Sequence, residues 1–422
     1  MIAADRLIIA VPTNHCLVAA IEAAGLKWVC DLRSEISAVC KSIQAKGIIF
    51  AVGRSELFLL DGVRVNETTS KENPYVPPGM PPQDLSGRTT SYLEFWLIWL
   101  MYIPVVLQLL LRSVWHRSLT LPLIANPAVP LSGMVGVQKS AVFDAAGAFD
   151  RDWILPWRIY SKTNAPIPEQ AADVAALIDA AGFKFPVVGK PDIGCRGAGV
   201  KLIGNRTELE AYLSEFPVEG EIQFQRLSQW GAEVGVFYVR HSHTERGEIT
   251  SLTLKYAPYV VGDGFSTLAE LAAADPRAGG LQHPYGERRK AKWELLIPAG
   301  EPYRRLFSAS HSRGAVFRDA AALISEELLA ALDQIFADIP SYHYGRLDIK
   351  FKDIGILRSG RDFHIIEING ASSESINICY RNASLGQALR TLLQQYHTLF
   401  KLGSANRTLG LEPLGLKTLF SA

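Results

Sequence analysis

The sequence predicts an α/β (α+β) chain, and two patterns in it carry that reading. Short runs rich in Val, Ile, Phe and Tyr read as strands, and they alternate with Ala- and Leu-rich helical stretches. Gly- and Pro-rich turns separate the two. At 422 residues the chain has room for two or three domains. It is 48% hydrophobic and 20% charged, so it can bury a large core and is not globally disordered. The 43 Lys+Arg nearly cancel the 42 Asp+Glu, which gives no argument for a nucleic-acid partner.

Residues 1–66 read as a small N-terminal α/β domain, with strands RLIIAV and GIIFAV around a helix LVAAIEAAGL. Residues 67–90 form a Pro/Gly-rich linker containing NPYVPPGMPPQDLSG. Residues 91–117 hold an apolar helical segment, FWLIWLMYIPVVLQLLL, broken by Pro104 and Gln108. As a helix it would reach roughly 25 Å, slightly short of a ~30 Å hydrocarbon core. A core or interface helix, a membrane-surface or re-entrant anchor, and a span all stay open. Trp96, Trp99, Tyr102 and Trp115 suit a membrane interface, with Arg112, His116 and Arg117 following. A second Pro-rich run, SLTLPLIANPAVPLSG, leads into the largest unit, 126–402, and 403–422 is a C-terminal tail.

In that unit VQKSAVFDAAGAF and 171–181 read as helices, and FPVVGKPDIGCRGAGVKLI as strand, glycine-rich loop, strand. EIQFQRL, AEVGVFYVRH, ITSLTLKYAPYVV, YGRLDIKFKD and DFHIIEIN read as strands. Further helices are predicted over 266–273, 320–336 and 385–400.

Five cysteines, Cys16, Cys30, Cys40, Cys195 and Cys379, are widely spaced without metal-ligand spacing. They read as free thiols of a reducing cytoplasm. The N-terminus lacks a basic stretch followed by a long apolar run, so no secretory signal is expected. A cytoplasmic location is predicted, with attachment to the inner face of a membrane left open. His241, His243, His283 and His311 are scattered and read as surface or structural residues.

Two constellations carry chemistry. Lys190 ends a strand and enters a loop with Gly194, Gly197 and Gly199. Small residues let backbone N–H groups approach phosphate oxygens, and an ammonium neutralises their charge. A tight hairpin with no ligand is the alternative. The second set is acidic. Arg346 and Asp348 share a face of one strand, and Glu367 and Asn369 share a face of the next. Two carboxylates and an amide oxygen are hard ligands suited to Mg2+ held together with ATP phosphates. The alternative is a solvated hairpin face.

In this order the two sets resemble the ATP-grasp superfamily, over roughly residues 133–400. The similarity is to carboxylate–amine ligases such as D-alanine:D-alanine ligases and the ATP-grasp part of cyanophycin synthetase. The resemblance implies an ATP-grasp fold, two α+β subdomains gripping ATP. It implies ATP and Mg2+ as cofactors, with Mn2+ as a substitute, and small-molecule carboxylate and amine substrates. Lys139 and Lys190 would contact the nucleotide, Lys139 being otherwise a solvated helix lysine. Arg226, Leu227 and Ser228 would offer backbone groups to adenine. Gln225 stands where many relatives have Glu, and Glu233 would bind the ribose hydroxyls. VVGDG followed by S-T-x-x-E-L matches the cyanophycin synthetase branch, and Lys255 falls where that branch has a basic residue near the triphosphate. Asp348, Glu367 and Asn369 match the Mg2+ ligands, and Arg346 the arginine that stabilises the oxyanion. Ser372, Ser373, Glu374 and Asn377 follow where relatives read the substrate.

The implied reaction has two steps. A carboxylate attacks the γ-phosphate to give an acylphosphate, and an amine then displaces phosphate through a tetrahedral intermediate. A non-catalytic nucleotide-binding scaffold and an acid–thiol ligase remain alternatives. Homodimerisation is left open.

Overall fold

The computed structural model describes residues 75–83, 98–134, 138–147, 152–194, 197–274, 293–305, 307, 314–339, 341–380, 382–413 and 415. The predicted N-terminal domain, Cys16, Cys30, Cys40 and Cys195, and His283 and His311 lie outside them. The architecture is α+β, built on two antiparallel sheets.

The smaller sheet has β1 (Trp157–Ser161), β2 (Val187–Pro191), β3 (Lys201–Ile203) and β4 (Glu221–Arg226), in the order β1-β4-β2-β3. The larger has β5 (Ala232–Val239), β6 (Glu248–Tyr256), β9 (Val316–Asp319), β10 (Tyr344–Phe351) and β11 (Phe363–Ile368), in the order β11-β10-β5-β6-β9. Two short strands, β7 (Tyr259–Val261) and β8 (Pro302–Arg304), pair apart from both.

The helices, in chain order, are α1 (Ile98–His116), α2 (Lys139–Asp144), α3 (Ile167–Ala180), α4 (Arg206–Glu215), α5 (Leu268–Ala274), α6 (Glu326–Ala337), α7 (Ile354–Arg358) and α8 (Leu385–Thr408). Local chemistry explains their starts. Asn205 and Ser325 accept from the backbone of the first turn of α4 and α6, and Ser384 with Gln387 forms a capping box on α8. The stretch KDIGILRSGRD between β10 and β11 holds α7. Asp353 caps it by accepting from Gly355 and Ile356 N–H groups.

Every residue of β5 is buried, because both faces of the larger sheet are covered. One face is apolar. Val234, Val236, Leu252, Leu254, Leu347 and Ile349 pack there against Leu328, Leu332, Ile335 and Phe336 of α6. The smaller sheet turns Val187, Ile203, Ile222 and Phe224 toward Val174 and Ile178 of α3 and Leu209 and Leu213 of α4. Period 2 leaves the alternate residues of each sheet for the opposite face, where Glu233, Thr253, Lys255, Asp348 and Lys350 of the larger sheet lie beside an apolar cluster of Phe237, Val239 and Tyr344.

Two Pro-rich stretches are held onto this frame. In residues 75–83, Met80 joins the apolar core and the Gly79 carbonyl accepts from Ile354 N–H. Asn126, fully buried, accepts from the N–H groups of His343 and Tyr344 and so fixes the start of β10. The apolar segment becomes α1, with Pro104 inside it. Met101, Tyr102, Val105 and Leu109 are buried, and α1 packs on α8. Ile103, Leu107, Leu110, Leu111 and Val114 remain exposed. Among the described residues no helix is long and apolar enough to cross a membrane.

Candidate active site

The polar face of the larger sheet forms three adjoining rows. Lys255, Glu233 and Lys350 make the first. Lys255 Nζ lies 3.0 Å from one Glu233 oxygen and Lys350 Nζ 2.7 Å from the other. Thr253, Gly235, Asp348 and Glu367 make the second, directly opposed across four strands. Ser251, Phe237 and Arg346 make the third.

Gly235 lies in the middle row, where a Cβ would strike Ile376 Cδ1 at 2.6 Å. Lys255 passes over it to Asp348, with Nζ 2.9 Å from Oδ2. Arg346 Nε takes the other oxygen at 3.2 Å. Asp348 is therefore clamped between two cations, and they hold its carboxyl below the usual range even though burial pushes it up. Burial likewise pushes Glu233 up, but Lys350 and Lys255 outweigh it and keep it well depressed. Lys255 is raised: burial lowers it, and Asp348 and Glu233 more than reverse that.

Glu367 is less enclosed. Its side chain is 25% exposed and its nearest cation is Lys139, at 4.0 Å. A bulge follows the Asp348–Glu367 pair and leaves Ile366 out of register. The Ile366 carbonyl accepts from Lys190 Nζ at 3.0 Å, and the Gln225 side-chain oxygen accepts from the same ammonium at 3.0 Å. Lys190 thus belongs to the smaller sheet and bonds to the larger one. Burial pulls its pKa down to about 8, partly offset by Glu367. An anionic ligand held by Lys190 should accordingly bind more weakly as pH rises past about 8, where Lys190 loses its charge. Titrating ATP binding between pH 7 and 9 in the wild type and a Lys190→Arg variant checks this, the arginine removing the slope.

Lys139 is not a solvated helix lysine. It donates to the Gly194 carbonyl at 2.8 Å and the Pro191 carbonyl at 3.3 Å. Gly197 and Gly199 have φ of 71° and 70°, as a tight loop requires, and a Cβ on Gly199 would strike Pro191. Arg226 is exposed, Leu227 and Ser228 half-buried, and Ser228 Oγ accepts from Trp230 N–H. Asn369 follows β11, its N–H donating to the Arg346 carbonyl at 2.8 Å. Ser373 Oγ accepts from Arg346 N–H, and the Glu374 carbonyl accepts from Arg346 Nη1. Ser372 N–H donates to the Gly133 carbonyl, and Asn377 accepts from Ser375. Burial raises Glu374 to about 8.

The structure gives one motif a different role. In VVGDGFSTLAEL, Thr267 and Glu270 cap α5 reciprocally, and Asp263 accepts from Phe265 and Ser266 N–H groups. These residues shape the turn between β7 and α5.

Three site residues were missed in the sequence. Lys350 continues the face of Arg346 and Asp348, a signal that period 2 offers. Asp192 is fully buried and accepts from Ser140 N–H and Oγ, tying α2 to the glycine-rich loop. Gln223 is wholly buried opposite Lys190, and neither end of its amide has a hydrogen-bond partner among the described residues. No local signal marks it.

This arrangement fits a nucleoside triphosphate with a divalent cation. Lys139, Lys190, Lys255, Arg346 and Lys350 outnumber Glu233, Asp348 and Glu367, even with Asp192 included. The orphaned Gln223 offers a donor and an acceptor to a ligand edge. Among the described residues no three His, Cys, Asp or Glu stand together as a metal site, so Mg2+ would need phosphate oxygens as well.

No protein-family model matches the chain, and no curated protein matches it. Solved structures similar to it include a bifunctional glutathione synthetase from Pasteurella multocida, at 14% identity and TM-score 0.31, over 61% of this chain and 35% of that one. The chain thus spans about a third of that enzyme's length. A D-alanine–D-alanine ligase from Bacillus anthracis is similar at 11% identity and TM-score 0.37, over 67% and 72%. A D-Ala:D-Ser ligase from Enterococcus faecalis follows at 12% and 0.32, over 61% and 63%. At these scores the activity has to be argued from the site itself.

Proposed function

We propose that this protein is an ATP- and Mg2+-dependent ligase that activates a carboxylate as an acylphosphate and joins it to an amine. The observation that carries the reading is the register of Asp348 against Glu367, with Lys255 and Arg346 paired to Asp348 and Lys139 4.0 Å from Glu367. Asp348, Glu367 and Asn369 would hold Mg2+, which offsets charge on the phosphates. Lys139 and Lys190 would bind phosphate oxygens over the glycine-rich loop. The β4–β5 connection, with Arg226, Leu227 and Ser228, would meet the base, and Gln223 adds a buried amide there.

In the first step a carboxylate oxygen bonds to the γ-phosphorus while the bridging P–O bond breaks and ADP leaves. In the second, the amine nitrogen attacks the carbonyl carbon, inorganic phosphate leaves, and the amine gives up a proton. Arg346 would stabilise the oxyanion between these events. Glu233 would bind the ribose hydroxyls with the lone pairs that Lys255 and Lys350 leave free. The exposed stripe of α1 supports placing the reaction at a membrane surface, on a hydrophobic or amino-acid substrate.

Asp348, with both oxygens taken by cations, is the observation that favours a nucleotide-binding scaffold without chemistry. ADP release decides between the two. Pooled amino acids and fatty acids, with amines and thiols as acceptors, should yield ADP and a product of mass equal to acid plus acceptor minus water. ATP binding without ADP release from any pool supports the scaffold.

A further inference from the structure

α1 is apolar over most of its surface, but only one face is buried. Its other face carries Ile103, Leu107, Leu110, Leu111 and Val114, 46–79% exposed, with Trp115 at 85%. A helix of that composition either packs on both sides or meets an apolar phase. Among the described residues no helix is long and apolar enough to cross a membrane, and an exposed stripe of this kind suits a helix lying flat along one.

Beside the stripe, α1 and α8 enclose a cleft of about 410 Å3, lined in part by Gln108, Arg112, Leu389, Arg390, Gln394 and His397. None of its lining residues is acidic. Arg112 Nε, Gln108 Oε1 and His397 Nδ1 are buried in the wall without hydrogen-bond partners among the described residues. Burial, Arg112, Lys401 and His116 all push His397 down, so every charge it feels is positive. A second copy docked symmetrically here would set these cations against each other. An anion bearing hydroxyls answers both needs: its phosphate accepts from Arg112, and a hydroxyl donates to Gln108.

We infer that this cleft binds the phosphate headgroup of an anionic lipid with a polyol headgroup, while the α1 stripe lies in the bilayer surface. The inference rests on the membrane-surface reading and is independent of the ligation chemistry. The test is flotation of the full chain with vesicles of phosphatidylcholine alone and of phosphatidylcholine with phosphatidylglycerol. The protein should float with the anionic vesicles only. Arg112→Glu with Arg390→Glu should cut the bound fraction about tenfold or more, with ATP-dependent ADP release unchanged. Leu107→Ser with Leu111→Ser should also abolish flotation. Equal flotation on both vesicle types, indifferent to the arginine changes, removes the headgroup site and leaves the surface reading. No flotation on either type removes both. A dimer that the leucine changes split would assign the stripe to a second copy and overturn the inference.

Discussion

Glu367→Gln is expected to lower the ADP-release rate on the order of 10²–10³-fold while the protein melts close to the wild type. The expectation comes from the unequal way the two acids are held. Asp348 is buried and bonded to Lys255 and Arg346, so changing it disturbs folding and chemistry together. Glu367 is 25% exposed and its closest cation is 4.0 Å away. The folded protein gains little from that contact, and the amide keeps its shape. What the amide cannot supply is negative charge for a divalent cation. ADP release should therefore fall, partly restored by raising Mg2+ or substituting Mn2+. Thermal melting in the same buffer separates the outcomes. Wild-type turnover removes Glu367 from the metal site, and a large fall in melting temperature would make its role structural.

Glu233→Gln should have the largest effect on stability, a loss of about 3–5 kcal/mol. Its carboxylate lies between Lys255 and Lys350, with all three side chains under 10% exposed. Neutralising it leaves two ammonium groups buried, Lys255 still paired with Asp348 and Lys350 left with only the Gly231 carbonyl, at 3.2 Å. A fall in melting temperature of roughly 10 °C follows for a unit of this size. Changing Glu233 and Lys350 together to Met should cost less than Glu233→Gln, since Asp348 still pairs with Lys255. If the double change costs as much, the row is not a coupled unit.

The same residues set the acid limit. Glu233 and Asp348 have folded-state pKa values below their ordinary carboxylate values. Such groups add stability that is fully present above about pH 4, their unfolded value, and is lost as pH falls through the folded ones. Destabilisation should thus steepen below about pH 4, and Glu233→Gln should flatten that slope.

Much of this site was legible because strands have a period of two. YGRLDIKF alternates polar and apolar residues, as does EIN at the end of DFHIIEIN, and this puts Arg346 with Asp348 on one face and Glu367 with Asn369 on another. The same rule extends to Lys350. Glu233 was found by resemblance and given a ribose, and the register also sets it against Lys350. The α7 helix was missed although Asp353 is a good cap, because five residues make too little pattern to distinguish a turn from a helix.

The sequence by itself determined the α+β class, the strands other than β1, β8 and β9, the glycine-rich loop and the acids on adjacent strands, since all of these follow from local spacing. Tertiary structure decided the rest. Lys255 reaches Asp348 over Gly235, Lys190 bonds to the bulge at Ile366, and Gln223 is buried without a partner among the described residues. Tertiary structure also decided which face of the apolar segment α8 covers and which it leaves open. Each of these joins residues far apart in the chain, and their distance depends on strand order and sheet packing, which spacing along a sequence does not encode.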